Sequence, residues 1–230
     1  MNFDQHAETY QHEVEQAAGV SVEKLAGEKA RLIAQILTEC IGEPKRLRVL
    51  DVGCGIGLID HDLERSVGAL CGVDTSLRSL ELAIARAPET HFVRYDGTRL
   101  PVADSSFDAV FASCVLHHIP PAVRQGFVTE MLRPLQPNGA VLIIEHNPFN
   151  PVTRRIIARC AFDADAVLLR CSETMRLIRS AGAVIAGRRY IGFSPLRSTL
   201  IEQAERAIGW LPIGAQYCVW GVKSADAGWA

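Results

Sequence analysis

Apolar residues along this chain fall into two patterns. Between positions 20 and 41 they recur at helical spacing, with Leu25, Leu32, Ile33, Ile36 and Leu37 on one side and Pro44 beyond the end. From Leu47 onward, short, mainly apolar runs take over, at 47–50, 69–73, 91–95, 108–112 and 140–145. Runs of that length predict strands buried on both faces. Helical patterns separate them. Ser76 caps a helix reaching Ala87, and Pro121 opens one reaching Leu132. A Pro137-Asn138-Gly139 turn leads into the fifth strand. Farther on, helices are expected near 151–160, 172–180 and 196–208, with strands near 184–191 and 216–222. Strands alternating with helices at this spacing predict a Rossmann-like, doubly wound α/β domain with helices on both faces and right-handed crossovers.

Composition narrows the class. Of 230 residues, 48% are hydrophobic and 22% charged, enough apolar surface for one sizeable core. No apolar run approaches the roughly 20 residues that span a bilayer, and the polar start MNFDQHAETY is not a secretory signal, so a cytoplasmic protein without a transmembrane segment is expected. Seven cysteines without a C-x-x-C pair suit neither a disulfide framework nor a zinc site, and no metal is expected. The net charge of −2 argues against nucleic acid as a partner. It is unevenly spread: residues 1–150 carry 13 Lys and Arg against 20 Asp and Glu, whereas residues 151–206 carry 10 Arg against 5 acids.

The first strand runs into Asp51-Val52-Gly53-Cys54-Gly55-Ile56-Gly57. Glycines let the chain turn sharply and bring bare backbone to a ligand. The third glycine comes one residue too early for the dinucleotide fingerprint G-x-G-x-x-G. Asp51 would repel a pyrophosphate but suits a cationic guest such as S-adenosylmethionine, which carries an ammonium and a sulfonium. Asp74 ends the second strand, 21 residues after Gly53, where a carboxylate accepts hydrogen bonds from ribose hydroxyls. Asp96-Gly97 follows the third strand, placed either to meet an adenine amino group or as a plain turn.

The successive segments LDVGCGIG, GVDTS and YDGTRLPVADSSFDAVFASCVLHHI resemble the motifs of class I S-adenosylmethionine-dependent methyltransferases, in the group that modifies ubiquinone and small molecules. That resemblance implies a seven-stranded, mostly parallel sheet with one antiparallel strand. It divides a single domain, 1–230, into an N-terminal helical cap (1–44), a cofactor-binding core (45–145) and a substrate-side insertion with the final strands (146–230). It implies that Asp51, Gly53 and Gly55 hold the methionine portion of S-adenosylmethionine, Asp74 the ribose and Asp96 the adenine, with Cys54, Thr75 and Gly97 also expected in the cofactor site. Ser113 and Cys114 would lie near the methionine portion. Tyr10, in a segment similar to one that folds over the cofactor, caps the pocket or stays on an exposed tail.

Methyl transfer to a hydroxyl is helped by a general base, and His is the natural one near neutral pH. His117, His118 and His146 are the candidates, unranked. The Asn147-Pro148-Phe149-Asn150-Pro151 loop leaves the carboxyl edge of the sheet, so Asn147 and Phe149 are expected to line the substrate pocket. Arg154 and Arg155 suit an anionic small substrate or an anionic membrane, or form a solvated face. A small-molecule acceptor leads, with a lipid or quinone second. An NAD-dependent oxidoreductase and a non-catalytic cofactor-binding partner protein are the readings of other classes.

Overall fold

The computed structural model describes residue 4 and residues 6–193 and 207–225. Two N-terminal helices, α1 (Tyr10–Ala18) and α2 (Val22–Cys40), precede the sheet. The alternating core follows as β1 (Arg48–Val52), α3 (Leu58–Leu63), β2 (Ala69–Asp74), α4 (Leu77–Arg86), β3 (His91–Arg94) and β4 (Phe107–Ser113). Then come α5 (Arg124–Leu132), β5 (Leu135–His146), α6 (Pro151–Ile157), α7 (Cys171–Ser180), β6 (Ala183–Ile191) and β7 (Gln216–Lys223).

Seven strands form one sheet in the order β3-β2-β1-β4-β5-β7-β6. Neighbours from β3 through β5 are parallel, and β7 runs antiparallel to both β5 and β6. The period-two alternation of a strand sends Leu50, Val110 and Val141 into a core with α5 and α7, and Val49, Ala109 and Ala140 into a core with α2 and α3. Both faces are therefore covered, which is why the central strands read as mainly apolar runs rather than as alternating ones. On α2, Ile33, Ile36 and Leu37 are fully buried against the sheet.

Three details depart from the expected elements. Residues 137–139 do not precede β5 but interrupt it: Phe107 pairs with Leu135 and Ala109 with Ala140, so the extra residues bulge out, with Asn138 at φ +65°. Helices α1 and α3 have no counterpart in the apolar periodicity. The helix expected at 196–208 falls almost wholly outside the described residues. No helix among the described residues is long and apolar enough to cross a membrane.

Candidate active site

A cavity of about 1340 Å³ lies over the carboxyl ends of β1, β2, β4 and β5, the ligand edge of an open α/β sheet. A second stripe of α2, Leu25, Lys29 and Leu32, lines it, and Tyr10 of α1 joins them. At its floor the glycine loop turns tightly. Gly53 sits at φ +83°, and a Cβ there would stand 2.6 Å from Val115 Cγ2. Gly55, at φ +55°, has no atom within 4 Å of where its Cβ would be, so bare backbone faces open space.

Asp74 is anchored by that same turn. One carboxylate oxygen accepts from Gly55 N at 2.8 Å and the other from Ser76 N at 2.9 Å. Behind the loop stand two buried acids, Asp51 and Asp60. Asp51 Oδ1 and both oxygens of Asp60 accept no hydrogen bond among the described residues. Burial and the neighbouring carboxylates push Asp51 well above the usual carboxylate range, and burial lifts Asp60 to about 7. Burial makes two negative charges here costly, so the pair favours protonation until a cation arrives.

The other end of the cavity is built around His117. Its ring is buried, with Nδ1 2.7 Å from Glu145 Oε2 and Nε2 3.3 Å from Asp163 Oδ1. Glu145 Oε1 also accepts from the backbone N–H groups of Val115 and Leu116, at 3.0 and 2.7 Å, fixing the turn after β4. Burial alone would lower the His117 pKa, but Glu145 and Asp163 outweigh it and raise it to about 10. Burial likewise opposes the ionised form of Glu145, yet His117 holds that acid at about 2. His117 is thus a protonated clasp between two acids, which removes it from the candidate bases. His118 is the reverse: burial and the His117 charge depress it to about 4.

Between the two ends lies Cys114. It leaves β4 at φ +60°, a strained conformation for a residue with a side chain. Lys29 Nζ donates to its Sγ at 3.3 Å and to Ser113 Oγ at 3.1 Å, and Gln216 Nε2 donates to the same sulfur at 3.2 Å. Burial would raise the thiol, but Lys29 and then His146 bring it down to about 6. His146 lines the cavity with its Nδ1 3.4 Å from Gln216 Nε2 and its ring centroid 5.1 Å from that of His117.

Tyr10, Asp51, Gly53, Cys54, Gly55, Asp74, Thr75, Gly97, Ser113, Cys114, His117, His118 and His146 all line this cavity. Five expected residues are placed elsewhere. The Asp96 carboxylate folds back onto its own turn, accepting from Thr98 N, Thr98 Oγ1 and Arg99 N. Asn147 is buried and donates to Pro212 O and Gly214 O, so it latches a loop rather than touching a substrate. Phe149 lies outward under the Arg170 guanidinium, 5.5 Å from its ring centroid. Arg154 and Arg155 occupy the exposed side of α6, because its one short amphipathic turn gives Thr153 and Ile156 to the cavity instead. Sequence reasoning missed Lys29, Asp60, Asp163 and Gln216. Only Lys29 left a trace, a cation at helical spacing between Leu25 and Leu32.

Residues 50–143 match the family model of a methyltransferase domain. The demethylmenaquinone methyltransferase of Beutenbergia cavernae is 36% identical over 115 residues, covering 50% of this chain and 47% of that protein. That of Renibacterium salmoninarum is 32% identical over 119 residues, covering 51% and 49%. The chain thus spans about half the length of the curated relatives it matches. Among solved structures, a SAM-dependent methyltransferase from Thermotoga maritima, described as a possible histamine N-methyltransferase, superposes with a TM-score of 0.67 at 18% identity, covering 96% of this chain and 98% of that one. Sheet order and glycine loop accompany the family match: residues 50–143 are similar to a methyltransferase domain, on a fold shared with S-adenosylmethionine-dependent methyltransferases of solved structure.

A methyltransferase domain on this fold implies S-adenosylmethionine, and the residues present fit it. The partnerless Asp51 Oδ1 suits an ammonium, the open face of Gly55 admits a ligand against bare backbone, and Asp74 stands at the edge of the same cavity.

Proposed function

We propose that this protein transfers a methyl group from S-adenosylmethionine to a small molecule with a largely apolar body, bound beyond Cys114 in the same cavity. One observation carries the reading: a single cavity joins a cation-seeking acidic floor at Asp51 and Asp74 to a histidine-rich end lined by apolar side chains. The bound cofactor supplies an activated methyl on a sulfonium, and the chain's task is alignment and exclusion of water. Asp74 accepts from the ribose hydroxyls, and Asp51 with Asp60 balances the ammonium. Tyr10, packed edge-on against Phe162 with centroids 4.8 Å apart, covers the site from the N-terminal side. With His117 protonated, His146 is the candidate general base.

Thermal-shift titration with S-adenosylhomocysteine tests the cofactor half of this reading. A carboxylate accepting from neutral donors is worth about 1.5–3 kcal/mol, so Asp74→Ala should weaken binding about 10–100-fold. Incubation with labelled cofactor and a cell metabolite extract, followed by mass analysis, then identifies the acceptor. Binding of NAD in place of S-adenosylhomocysteine would sink the reading.

A specific observation favours a second acceptor class, a lipid or quinone met at a membrane. Phe149, Val152, Trp210 and Ile213 are each 60% exposed or more, and Val152 also lines the cavity. The similarity to demethylmenaquinone methyltransferases is compatible with that choice.

A further inference from the structure

We propose that His117, His118 and Asp163 form a binding site for one divalent transition-metal ion at the acceptor end of the cavity. The Nε2 atoms of the two histidines converge on a single oxygen, Asp163 Oδ1, at 3.3 and 3.5 Å. One ligand atom from each of the three residues lies within 4.8 Å of the others. Ligands held about 2.0–2.1 Å from a tetrahedral zinc ion stand about 3.3–3.4 Å from one another. Two edges of such a tetrahedron are therefore already at coordination length.

The surroundings match what a metal site needs. Imidazole ligands are oriented by giving their second nitrogen to a carboxylate or carbonyl. Here His117 Nδ1 faces Glu145 Oε2 at 2.7 Å and keeps its proton there, so that ion binding displaces to solvent the Nε2 proton shared with Asp163 in the metal-free state, and His118 Nδ1 faces Asp165 Oδ1 at 3.8 Å. The three ligand side chains are only 1%, 7% and 11% exposed, which limits competition from water. Phe162 packs edge-on against His118 at 5.0 Å between centroids, stiffening the ring's position. All three residues line the cavity, so a fourth coordination position faces open space, as in catalytic rather than structural zinc sites. Two imidazoles and a carboxylate suit zinc or iron(II) and are a poor set for magnesium or calcium, which take oxygen donors. Spacing rules could not find this site, because an adjacent histidine pair and an acid 45 residues later belong to no metal motif.

The ion site stands on this geometry. Its use rests on the methyltransferase reading: the open position would take a hydroxyl or carbonyl oxygen of the acceptor, polarising it and fixing it against the methyl donor. That narrows the acceptors to oxygen-bearing molecules.

The test measures metal binding alone, without cofactor or acceptor, so its outcome is separable from that of the methyl-transfer reading. The full chain, treated with EDTA and dialysed, is titrated with Zn²⁺ by calorimetry and with Co²⁺ by visible spectroscopy. One ion per chain is expected, with the strong visible absorption of a four-coordinate cobalt site. His118→Ala and Asp163→Asn should each lower zinc affinity at least about 10-fold, and Glu145→Gln, acting through His117 and the turn that carries it, about 10–100-fold. Cys114→Ser should bind as the wild type does, and circular dichroism checks that each variant is folded. Sub-stoichiometric binding would overturn the proposal, as would unchanged affinity in folded His118→Ala and Asp163→Asn. So would binding lost in Cys114→Ser, which would assign the ion to the thiol.

Discussion

Asp60 illustrates, at the scale of one residue, how a ligand site is held at the expense of the empty protein. It is fully buried beside Asp51, with neither oxygen accepting a hydrogen bond among the described residues. Its folded pKa, about 7, lies above the ordinary 3.8. Between those values the folded state holds more protons than the unfolded one, so this group's contribution to stability is present at low pH and is lost as pH rises toward 7. Asp60→Asn keeps the shape, removes the titration and offers Asp51 an N–H. The melting temperature of the cofactor-free variant should exceed the wild type's at pH 8, and the gain should disappear near pH 4. S-adenosylhomocysteine affinity should fall in the same variant, because the charge that balances the ammonium is gone. Equal destabilisation at both pH values would count against this account. The identity of Asp60 could not be read from the chain pattern, since nothing local distinguishes it from an exposed helical acid. Asp51 and Asp74 could be read, because each sits at a strand end next to its own motif.

At the scale of elements, the difference between what was legible and what was not follows sequence distance. Parallel strands buried on both faces announce themselves as apolar runs, and Ser76 announces α4 by capping it, its Oγ accepting from Ser79 N at 3.1 Å. The bulge in β5 was hidden because Pro137-Asn138-Gly139 carries the same residues as a true turn. Only pairing with Phe107 and Ala109 of β4 decides between them. The loop after β5 shows the same limit. Asn147 looks like a pocket residue by position, yet its Nδ2 reaches carbonyls 65 and 67 residues away, at 3.0 and 2.8 Å. Asn150 Nδ2 adds a third such bond, to Ile213 O at 2.7 Å. Asn147→Ala would leave the Pro212 and Gly214 carbonyls with fewer partners, and losing the buried bond to Gly214 costs about 1–3 kcal/mol. Urea denaturation should show that loss with an unchanged slope, while cofactor affinity stays near the wild-type value. A large fall in cofactor affinity with stability intact would instead return Asn147 to the binding site.

At the scale of the whole molecule, the uneven charge noted along the chain acquires a place. The two loops latched by Asn147 and Asn150, with the first turn of α6, carry Phe149, Val152, Trp210 and Ile213 outward, at 61%, 62%, 70% and 60% exposure. Arg154 and Arg155 are exposed on the helix that begins within this patch, and Arg170 stacks on Phe149. Large apolar tips ringed by arginines suit a bilayer with anionic headgroups, where apolar burial and counter-charge act together. The patch also adjoins the cavity through Val152, so an apolar acceptor could enter without crossing water. Vesicles of phosphatidylcholine with phosphatidylglycerol should therefore sediment the protein, less so at high salt, and pure phosphatidylcholine should retain much less. Replacing Phe149 and Trp210 together by serine removes two side chains each worth up to about 1.5–3 kcal/mol on full burial, so partition should fall at least about 10-fold. Both positions are exposed, so the melting temperature should hardly move. If the wild-type protein ignores anionic vesicles, or forms concentration-dependent dimers through this face, the acceptor must reach the cavity from solution, which leaves the soluble small molecule as the substrate class.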